Sequence, residues 1–248
     1  MAYGQTGAGK TFTTTSEQSE YAAGDAAPAA AEGIVPRALR RIFTTKRADS
    51  RVRLAVLEVV NGRVFSLCDE EADVPKGIRE KVSADLDCVS ADAAGRGPHF
   101  YVAGATWHDA ASADEALAAL CRTEALKGKA GPSHCAFILT IVQLTHGASE
   151  CSTFTVVDMA GSERTVKVAT EAVTTRFNLT LAAFATVVDH LCMRKRHIPY
   201  RASPITMLMK PILAARAFRV VATLCPGPNA ADESVATLRM AARFRELA

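Results

Sequence analysis

The sequence lacks the features that mark secreted proteins, proteins with a structural zinc site, and membrane proteins. Its seven cysteines are odd in number and scattered without any C-x-x-C pair, so a disulfide framework or zinc site is not expected and a reducing compartment is favoured. No apolar run approaches ~18 residues, and the first residues lack the charged-then-apolar pattern of a signal peptide. We therefore expect a protein of the cytoplasm with no membrane partner.

One long stretch lacks acidic residues altogether. No Asp or Glu stands between Asp189 and Asp232, whereas the same stretch contains Arg194, Lys195, Arg196, Arg201, Lys210, Arg216 and Arg219. A stretch of one charge sign suits an acidic partner surface, although a merely solvated basic face explains it as well. Aromatic side chains are not interleaved with these charges, which argues against stacking on single-stranded nucleic acid.

Alternating strand and helix patterns are what the sequence does contain. Its 248 residues, 49% hydrophobic and 22% charged, suffice for one large or two small domains with a buried core. Strands are predicted over 51–60, 99–107, 136–145, 152–161 and 219–225, and helices over 36–43, 115–126, 178–193 and 232–247. Asn61-Gly62 predicts a turn, Ser112 with Glu115 predicts a helix-capping box, and 21–33 and 127–132 are predicted loops. This alternation predicts an α/β protein with a central sheet and no clear domain boundary.

A phosphate-binding pattern stands near the start of the chain. Residues 4–11 read G-x-x-x-x-G-K-T, in which glycines let backbone N–H groups surround phosphate oxygens at the start of a helix. In this pattern Lys10 reaches the outer phosphates and the Thr11 hydroxyl ligates Mg²⁺. A chance glycine-rich turn is the alternative. The predicted nucleotide-binding residues are Gly4, Gln5, Thr6, Gly7, Ala8, Gly9, Lys10 and Thr11.

A second motif supports the first. The apolar strand over 152–161 delivers Asp158 and then Gly161, where a P-loop enzyme places a carboxylate on the Mg²⁺ side and a glycine that senses the γ-phosphate. The alternative is that the strand simply ends in a turn that begins with Asp158, which has no role in binding. Ser133 beside His134 does not make a catalytic triad, because adjacency in sequence is the wrong geometry and no acid is near.

These motifs, in their order, resemble the kinesin motor domain. The resemblance is carried by AYGQTGAGKTFT, EGIVPRALRRIF, VDMAGSER, FNLTLAAFATVVDHL, HIPYRASPITMLM and DESVATLRMAARFREL, and it covers essentially residues 1–248. It implies the motor fold, Mg-ATP as ligand, microtubules as partner and the microtubule cytoskeleton as location. An unrelated P-loop ATPase acting on nucleic acid is a remote alternative. The resemblance also implies that direction, cargo and oligomeric state depend on neck, coiled-coil and tail segments that do not occur here.

The resemblance assigns roles in hydrolysis and shows one departure. Glu163 matches the family's switch II glutamate, which acts in a water and switch relay. The family's switch I pattern N-x-x-S-S-R-S-H aligns with KGKAGPSH, so that Pro132 replaces its arginine. Ser133 is then the candidate for the Mg²⁺-side hydroxyl. We expect nucleotide binding to survive better than hydrolysis, and a catalytically impaired binding module is the alternative function.

The resemblance also assigns a polymer-binding side and raises a question about the sheet. The basic residues that remain in this region, and that we assign to microtubule binding, are Arg194, Lys195, Arg196, Arg201 and Lys210. Other positions depart, since Pro204 and Met207 replace basic residues, and Pro211 is expected to interrupt a helix. Only three residues precede Gly4, too few for the strand that feeds a P-loop. We therefore expect a partial, N-terminally truncated motor domain whose sheet lacks its first strands.

Overall fold

The computed structural model describes residues 1–16, 32–68, 75–81, 99–126, 133–145, 148–162 and 171–247. The strands are β1 (Ala2–Tyr3), β2 (Arg51–Val60), β3 (Arg63–Ser66), β4 (Gly77–Lys81), β5 (His99–Ala103), β6 (His108–Ala110), β7 (Ser133–Thr145), β8 (Ala148–Asp158) and β9 (Val221–Ala222). The helices are α1 (Lys10–Thr14), α2 (Ile34–Thr45), α3 (Ala113–Leu126), α4 (Glu171–Cys192), α5 (Pro204–Ala214) and α6 (Ala231–Leu247). In these ranges no helix combines the length and apolarity needed to cross a membrane.

The main sheet runs in the order β3-β2-β7-β8-β1-β9, with β6 also paired to β2. Neighbours from β3 to β8 are antiparallel, whereas β1 is parallel to both β8 and β9. Strands β4 and β5 form a separate antiparallel pair. Helices accompany this sheet, so the predicted α/β class is confirmed.

Apolar side chains on both faces of the sheet explain why the helices cover it twice. Strand β2 is buried along nearly its whole length, as expected for a strand covered on both sides. One core cluster includes Leu57 of β2 with Phe184 and Phe244 from α4 and α6. The second includes Leu54 of β2 with Leu120 of α3 and residues of α2. The sheet is therefore the middle of three layers.

Local turn and cap signals form as the sequence indicates. Asn61 and Gly62 take φ values of 50° and 75°, the left-handed pair that a two-residue hairpin between β2 and β3 requires. The Ser112 Oγ accepts the Glu115 N–H at 3.1 Å, and the Glu115 carboxylate accepts the Ala111 N–H at 2.8 Å. The carboxylate thus reaches one residue further back than in a standard capping box.

The expectation that no strand feeds the P-loop is wrong. Ala2 and Tyr3 form β1, with Ala2 opposite both Asp158 and Val221, and both β1 residues are buried. Two residues suffice because a strand on each side satisfies their backbone groups. The central position beside β8 is therefore occupied.

Three further expectations need correction. The strand predicted over 219–225 is only Val221–Ala222, and Val221 is 37% exposed because β9 has a paired neighbour on one side only within the described sheet. Pro211 does not interrupt α5, which continues to Ala214 with Leu213 buried. Because proline has no N–H, the Met207 carbonyl lacks its usual helical donor. Met207 is partly exposed, so water can supply the missing hydrogen bond. The strand predicted over 99–107 ends at Ala103 as β5, because Gly104 follows with a left-handed φ of 75°, and the next strand, β6, begins only at His108.

Other expectations fall outside the described residues. These include the predicted loop over 127–132, most of the predicted loop over 21–33, and most of the weakly patterned stretch 70–96.

Candidate nucleotide site

The P-loop pattern forms a backbone turn between β1 and α1. Gly7 and Gly9 have φ values of 78° and 90°, a left-handed conformation that side chains other than glycine rarely adopt. A Cβ at Gly4 would lie 2.2 Å from the Thr223 carbonyl oxygen, so the chain after β9 presses directly on the start of the loop. Glycine is therefore required here by backbone conformation at two positions and by close approach at a third.

Lys10 is the first residue of α1 and is held inside the loop. Its side chain is buried at 7% exposure, and its Nζ donates a hydrogen bond of 2.7 Å to the Gln5 carbonyl. The Ala8 N–H donates to the same carbonyl at 3.2 Å. A lysine in this position sits where the phosphates bound by such a loop would need a cation.

A side-chain hydrogen bond connects the P-loop with the end of β8. The Thr11 hydroxyl donates to Asp158 Oδ2 at 2.7 Å, and Asp158 is 5% exposed. The parallel pairing of β1 and β8 causes this proximity, because it sets Ala2 opposite Asp158. The hydroxyl and the buried carboxylate supply the hard oxygen donors that Mg²⁺ prefers, and the neighbouring Lys10 supplies a cation for phosphate. The donor set therefore fits a magnesium-bound nucleotide.

The loop that follows Asp158 is tied down on two sides. The Met159 N–H donates to the Ala2 carbonyl at 3.2 Å, and the Ser162 N–H donates to the Gly4 carbonyl at 3.0 Å. Between them, the Ala160 N–H donates to the Nδ1 atom of His134 on β7 at 3.2 Å. Gly161 is buried within this loop. Two backbone hydrogen bonds thus hold this loop to Ala2 and to Gly4, on either side of Gly161's neighbour Ala160.

His134 was not assigned a role from its sequence pattern. Burial lowers the pKa of its imidazole from 6.5 to about 4, so the ring is neutral near pH 7. A neutral ring carries the lone pair that the Ala160 N–H needs. The sequence signal for this residue is its alignment with the last histidine of the family's switch I pattern.

Comparison with known proteins identifies the family of this site. A family model described as the kinesin motor domain matches residues 1–247. The chain belongs to the kinesin motor domain family. It is 31% identical over 268 residues to kinesin-like protein KLP1 of Chlamydomonas reinhardtii, and 30% identical over 273 residues to kinesin-like protein KIF11 of Xenopus tropicalis. Both alignments cover 100% of this chain but only 32% and 24% of those proteins, so the chain spans a quarter to a third of their length.

The fold of this kinesin chain is also that of a solved kinesin. It superposes with a TM-score of 0.76 on a solved chain reported as "Structure of a fast kinesin: Implications for ATPase mechanism and interactions with microtubules". The two are 22% identical, and the match covers 98% of this chain and 69% of that one. The likeness shows that the three-layer arrangement around the P-loop is the kinesin motor fold.

The kinesin-type site is described only in part. Glu163 lies outside the described residues. Ser133 begins β7, where its main chain stands opposite Val60 of β2. Among the P-loop residues, Thr6 and Gly7 are exposed, whereas Gly4 and Lys10 are buried. The roles of these residues in catalysis stay predictions.

The basic residues assigned to polymer binding follow one another around the turn between α4 and α5. Arg194, Lys195 and Arg196 are exposed directly after α4, and Arg194 takes a left-handed φ of 50°. Arg201 is exposed in a short 3₁₀ turn, and Lys210 on α5 lies 6.0 Å from the centre of the Tyr200 ring. A segment of about ten residues thus presents four exposed cations, which is a surface suited to an acidic polymer.

Proposed function

We propose that this chain binds Mg-ATP at the P-loop and couples its hydrolysis to microtubule binding and movement. The observation that carries the proposal is the hydrogen bond of 2.7 Å between Thr11 and Asp158, together with the buried Lys10 beside it. These three side chains come from the two motifs that a P-loop ATPase uses for phosphate and magnesium. Membership of the kinesin motor domain family supports the same activity.

The residues of the site divide the work between binding and sensing. The N–H groups around Gly7 and Gly9 would surround phosphate oxygens, and the Lys10 Nζ, which bonds to the Gln5 carbonyl, would instead bond to the outer phosphates. Thr11 and Asp158 would hold Mg²⁺, which would supply positive charge beside the phosphates. Bound Mg-ATP supplies the phosphoryl group, whose charge the metal neutralises.

Hydrolysis needs a positioned water and a signal to the polymer. Gly161 lies in the loop after Asp158, where its N–H would respond to the γ-phosphate. Glu163 follows two residues later and would act in the water and switch relay. Ser133 is the proposed substitute for the switch I hydroxyl. The 159–162 loop bonds to Ala2 and Gly4, so displacement of this loop is the step that would pass the nucleotide state onward.

Microtubule binding is proposed for the basic residues around the turn between α4 and α5, four of them exposed and Lys210 partly exposed. They are Arg194, Lys195, Arg196, Arg201 and Lys210, and tubulin supplies the acidic surface. Arg196→Glu should weaken cosedimentation with microtubules and steepen its salt dependence, because it reverses one exposed charge. Arg63→Glu is the matched control, since Arg63 is also exposed but lies on the edge strand β3 and not in the turn between α4 and α5. Equal losses in both variants would contradict this surface.

A second candidate function is a binding module that has lost hydrolysis. The observation that favours it is Pro132 at the position of the family's switch I arginine, because proline offers no charge to Glu163. Loss of one such positioned group costs roughly 10²–10³ in turnover. Nucleotide binding would persist in this case, since the residues of the P-loop and Asp158 are present.

Steady-state ATP turnover of the chain, measured with and without microtubules, tests the proposal. Lys10→Ala should abolish turnover and weaken binding of a fluorescent ADP analogue. Lys46→Ala is the matched control, because Lys46 at the end of α2 bonds to the Ser50 carbonyl instead of the P-loop. Binding without turnover would favour the impaired module. Absence of both in a chain that circular dichroism shows to be folded would refute an ATP site.

Cytoplasmic microtubules are the proposed location, without a nucleic-acid or membrane partner. The proposal follows from the same assignment of the basic surface to tubulin. Oligomeric state is proposed to be set by other segments of the protein, since kinesin relatives are three to four times longer than this chain.

A further inference from the structure

A buried histidine holds the loop that carries the proposed γ-phosphate sensor. His134 is the second residue of β7 and is 2% exposed, and its Nδ1 accepts the Ala160 N–H at 3.2 Å. We infer that His134 is a positioning residue, whose imidazole fixes the 159–162 loop and thereby Asp158 and Gly161 for binding of Mg-nucleotide. This inference rests on the proposed function of the site.

The end of a strand ladder explains why a side chain is needed at this point. Pairing of β7 with β8 ends at Cys135 opposite Asp158. Beyond it the chain leaves β7, since Met159 bonds to Ala2 and Ser162 bonds to Gly4. The Ala160 N–H between them therefore takes no part in the backbone ladder of either neighbouring strand, although Ala160 is only 8% exposed. The imidazole reaches across and accepts it, so no buried N–H is left without an acceptor.

The bond requires one protonation state and one tautomer of His134. Nδ1 accepts only when it carries a lone pair, which places the ring proton on Nε2. Burial of the ring also disfavours the charged imidazolium. The imidazole is consequently a fixed acceptor near pH 7.

The bond also joins two parts of the site that are distant in sequence. His134 follows directly on residues 127–132, which align with the family's switch I, and Ala160 belongs to the loop aligned with switch II. The two residues are 26 positions apart. A movement of the 159–162 loop away from β7 would therefore break the hydrogen bond between Ala160 and His134, on the strand that follows the switch I segment.

Two substitutions separate the acceptor from the bulk of the ring. His134→Asn keeps an acceptor, since its Oδ1 is as many bonds from Cβ as Nδ1 is. His134→Leu keeps an apolar branched side chain without an acceptor. Leu120→Ala controls for general destabilisation, because Leu120 is buried in the core cluster around α2 and α3, which contains neither His134 nor Ala160.

Affinity for a fluorescent ADP analogue with Mg²⁺, and kcat and KM for ATP, are measured in the full chain. His134→Leu should lose at least about tenfold in affinity or kcat, the size expected when a buried N–H loses its acceptor. His134→Asn should remain within about threefold of the parent, since it keeps that acceptor. Equal losses in the Asn and Leu variants, or the same loss in Leu120→Ala, would overturn the positioning role.

Measurements that need no nucleotide distinguish failure of this inference from failure of the proposed function. ¹⁵N NMR of the parent chain should show His134 as the neutral Nε2–H tautomer at pH 7. Exchange of the Ala160 amide hydrogen should be slow in the parent and in His134→Asn, and faster in His134→Leu. A parent chain that binds no nucleotide would sink the proposed function alone. An Nδ1–H tautomer, an imidazolium or unchanged amide exchange would sink the inference.

Discussion

The contact between α1 and α2 gives a prediction that is independent of any ligand. Gly33 precedes α2, and a Cβ at this position would lie 2.6 Å from both the carbonyl carbon of Thr14 and the nitrogen of Thr15. These are backbone atoms, so a flexible side chain cannot move aside to relieve the clash. Gly33→Ala should therefore push α2 away from the end of the helix that carries Lys10 and Thr11.

The magnitude follows from two opposing effects. Overpacking a close contact typically costs about 1–3 kcal/mol of unfolding free energy. Replacing glycine by alanine returns about 0.4–1 kcal/mol by restricting the unfolded chain. A net loss of about 1–2 kcal/mol is expected, which lowers Tm by roughly 2–8 °C in a chain of this size.

Gly227→Ala is the matched control for this prediction. Gly33 and Gly227 have similar φ values of −73° and −68°, which alanine tolerates, but at Gly227 the nearest atom to a Cβ is the Cys225 Sγ at 4.0 Å. Only the entropic gain remains there, so Tm should stay unchanged or rise slightly.

Urea and thermal unfolding followed by circular dichroism measure the difference, and binding of a fluorescent ADP analogue provides a second reading. Gly33→Ala should unfold more easily than Gly227→Ala. It should also bind nucleotide more weakly, because the clash displaces the end of α1, the helix that carries Lys10 and Thr11. If Gly33→Ala unfolds at the same or a higher temperature than Gly227→Ala, the close approach of α1 and α2 is refuted.

Three further predictions concern single side chains. Thr11→Val should weaken Mg-nucleotide binding roughly tenfold to a hundredfold, because Asp158 loses a hydroxyl donor, and Thr11→Ser should restore it in the same fluorescence titration. Ser203→Ala should lower Tm by roughly 2–4 °C, since it removes the helix cap that accepts the Thr206 N–H and costs about 1 kcal/mol, whereas Ser203→Asn should not. The His134 pKa of about 4, against 6.5 in the unfolded chain, means that stability present above pH 6.5 is lost as the pH falls toward 4. Urea unfolding should then show about 2 kcal/mol less stability at pH 5 than at pH 7 from this group, and no such decrease in His134→Asn.

Local chemistry explains which parts of the site could be predicted from sequence. The P-loop and the Asn61-Gly62 turn each depend on glycine or asparagine adopting a backbone that few other residues tolerate. Strand β2 is visible because apolar residues alternate with Arg51 and Arg53 at its start and predominate over the rest of its length. Thr11 and Asp158 were assigned separately from their motifs, and the parallel strands β1 and β8 bring them together.

Contacts between distant segments explain what the sequence could not predict. His134 and Ala160 meet because β8 leaves β7 after Asp158, and no local pattern records where that separation happens. Pro211 was expected to end a helix, but the burial of Met209 and Leu213 on either side keeps α5 continuous. In both cases packing outweighs the local preference of the residue.

The two-residue strand β1 shows the same principle in its strongest form. Its carbonyl groups and those beside it point alternately to opposite neighbours: Met1 and Tyr3 accept N–H groups of Val221 and Thr223, and Ala2 and Gly4 accept those of Met159 and Ser162. Each of these bonds is made by backbone atoms, so it leaves no trace in side-chain periodicity. A strand this short would be marginal alone, but flanking strands on both sides fix the entrance to the P-loop. Since Met159 and Ser162 belong to the proposed sensing loop, two of these four carbonyls, those of Ala2 and Gly4, also set the resting position of that loop.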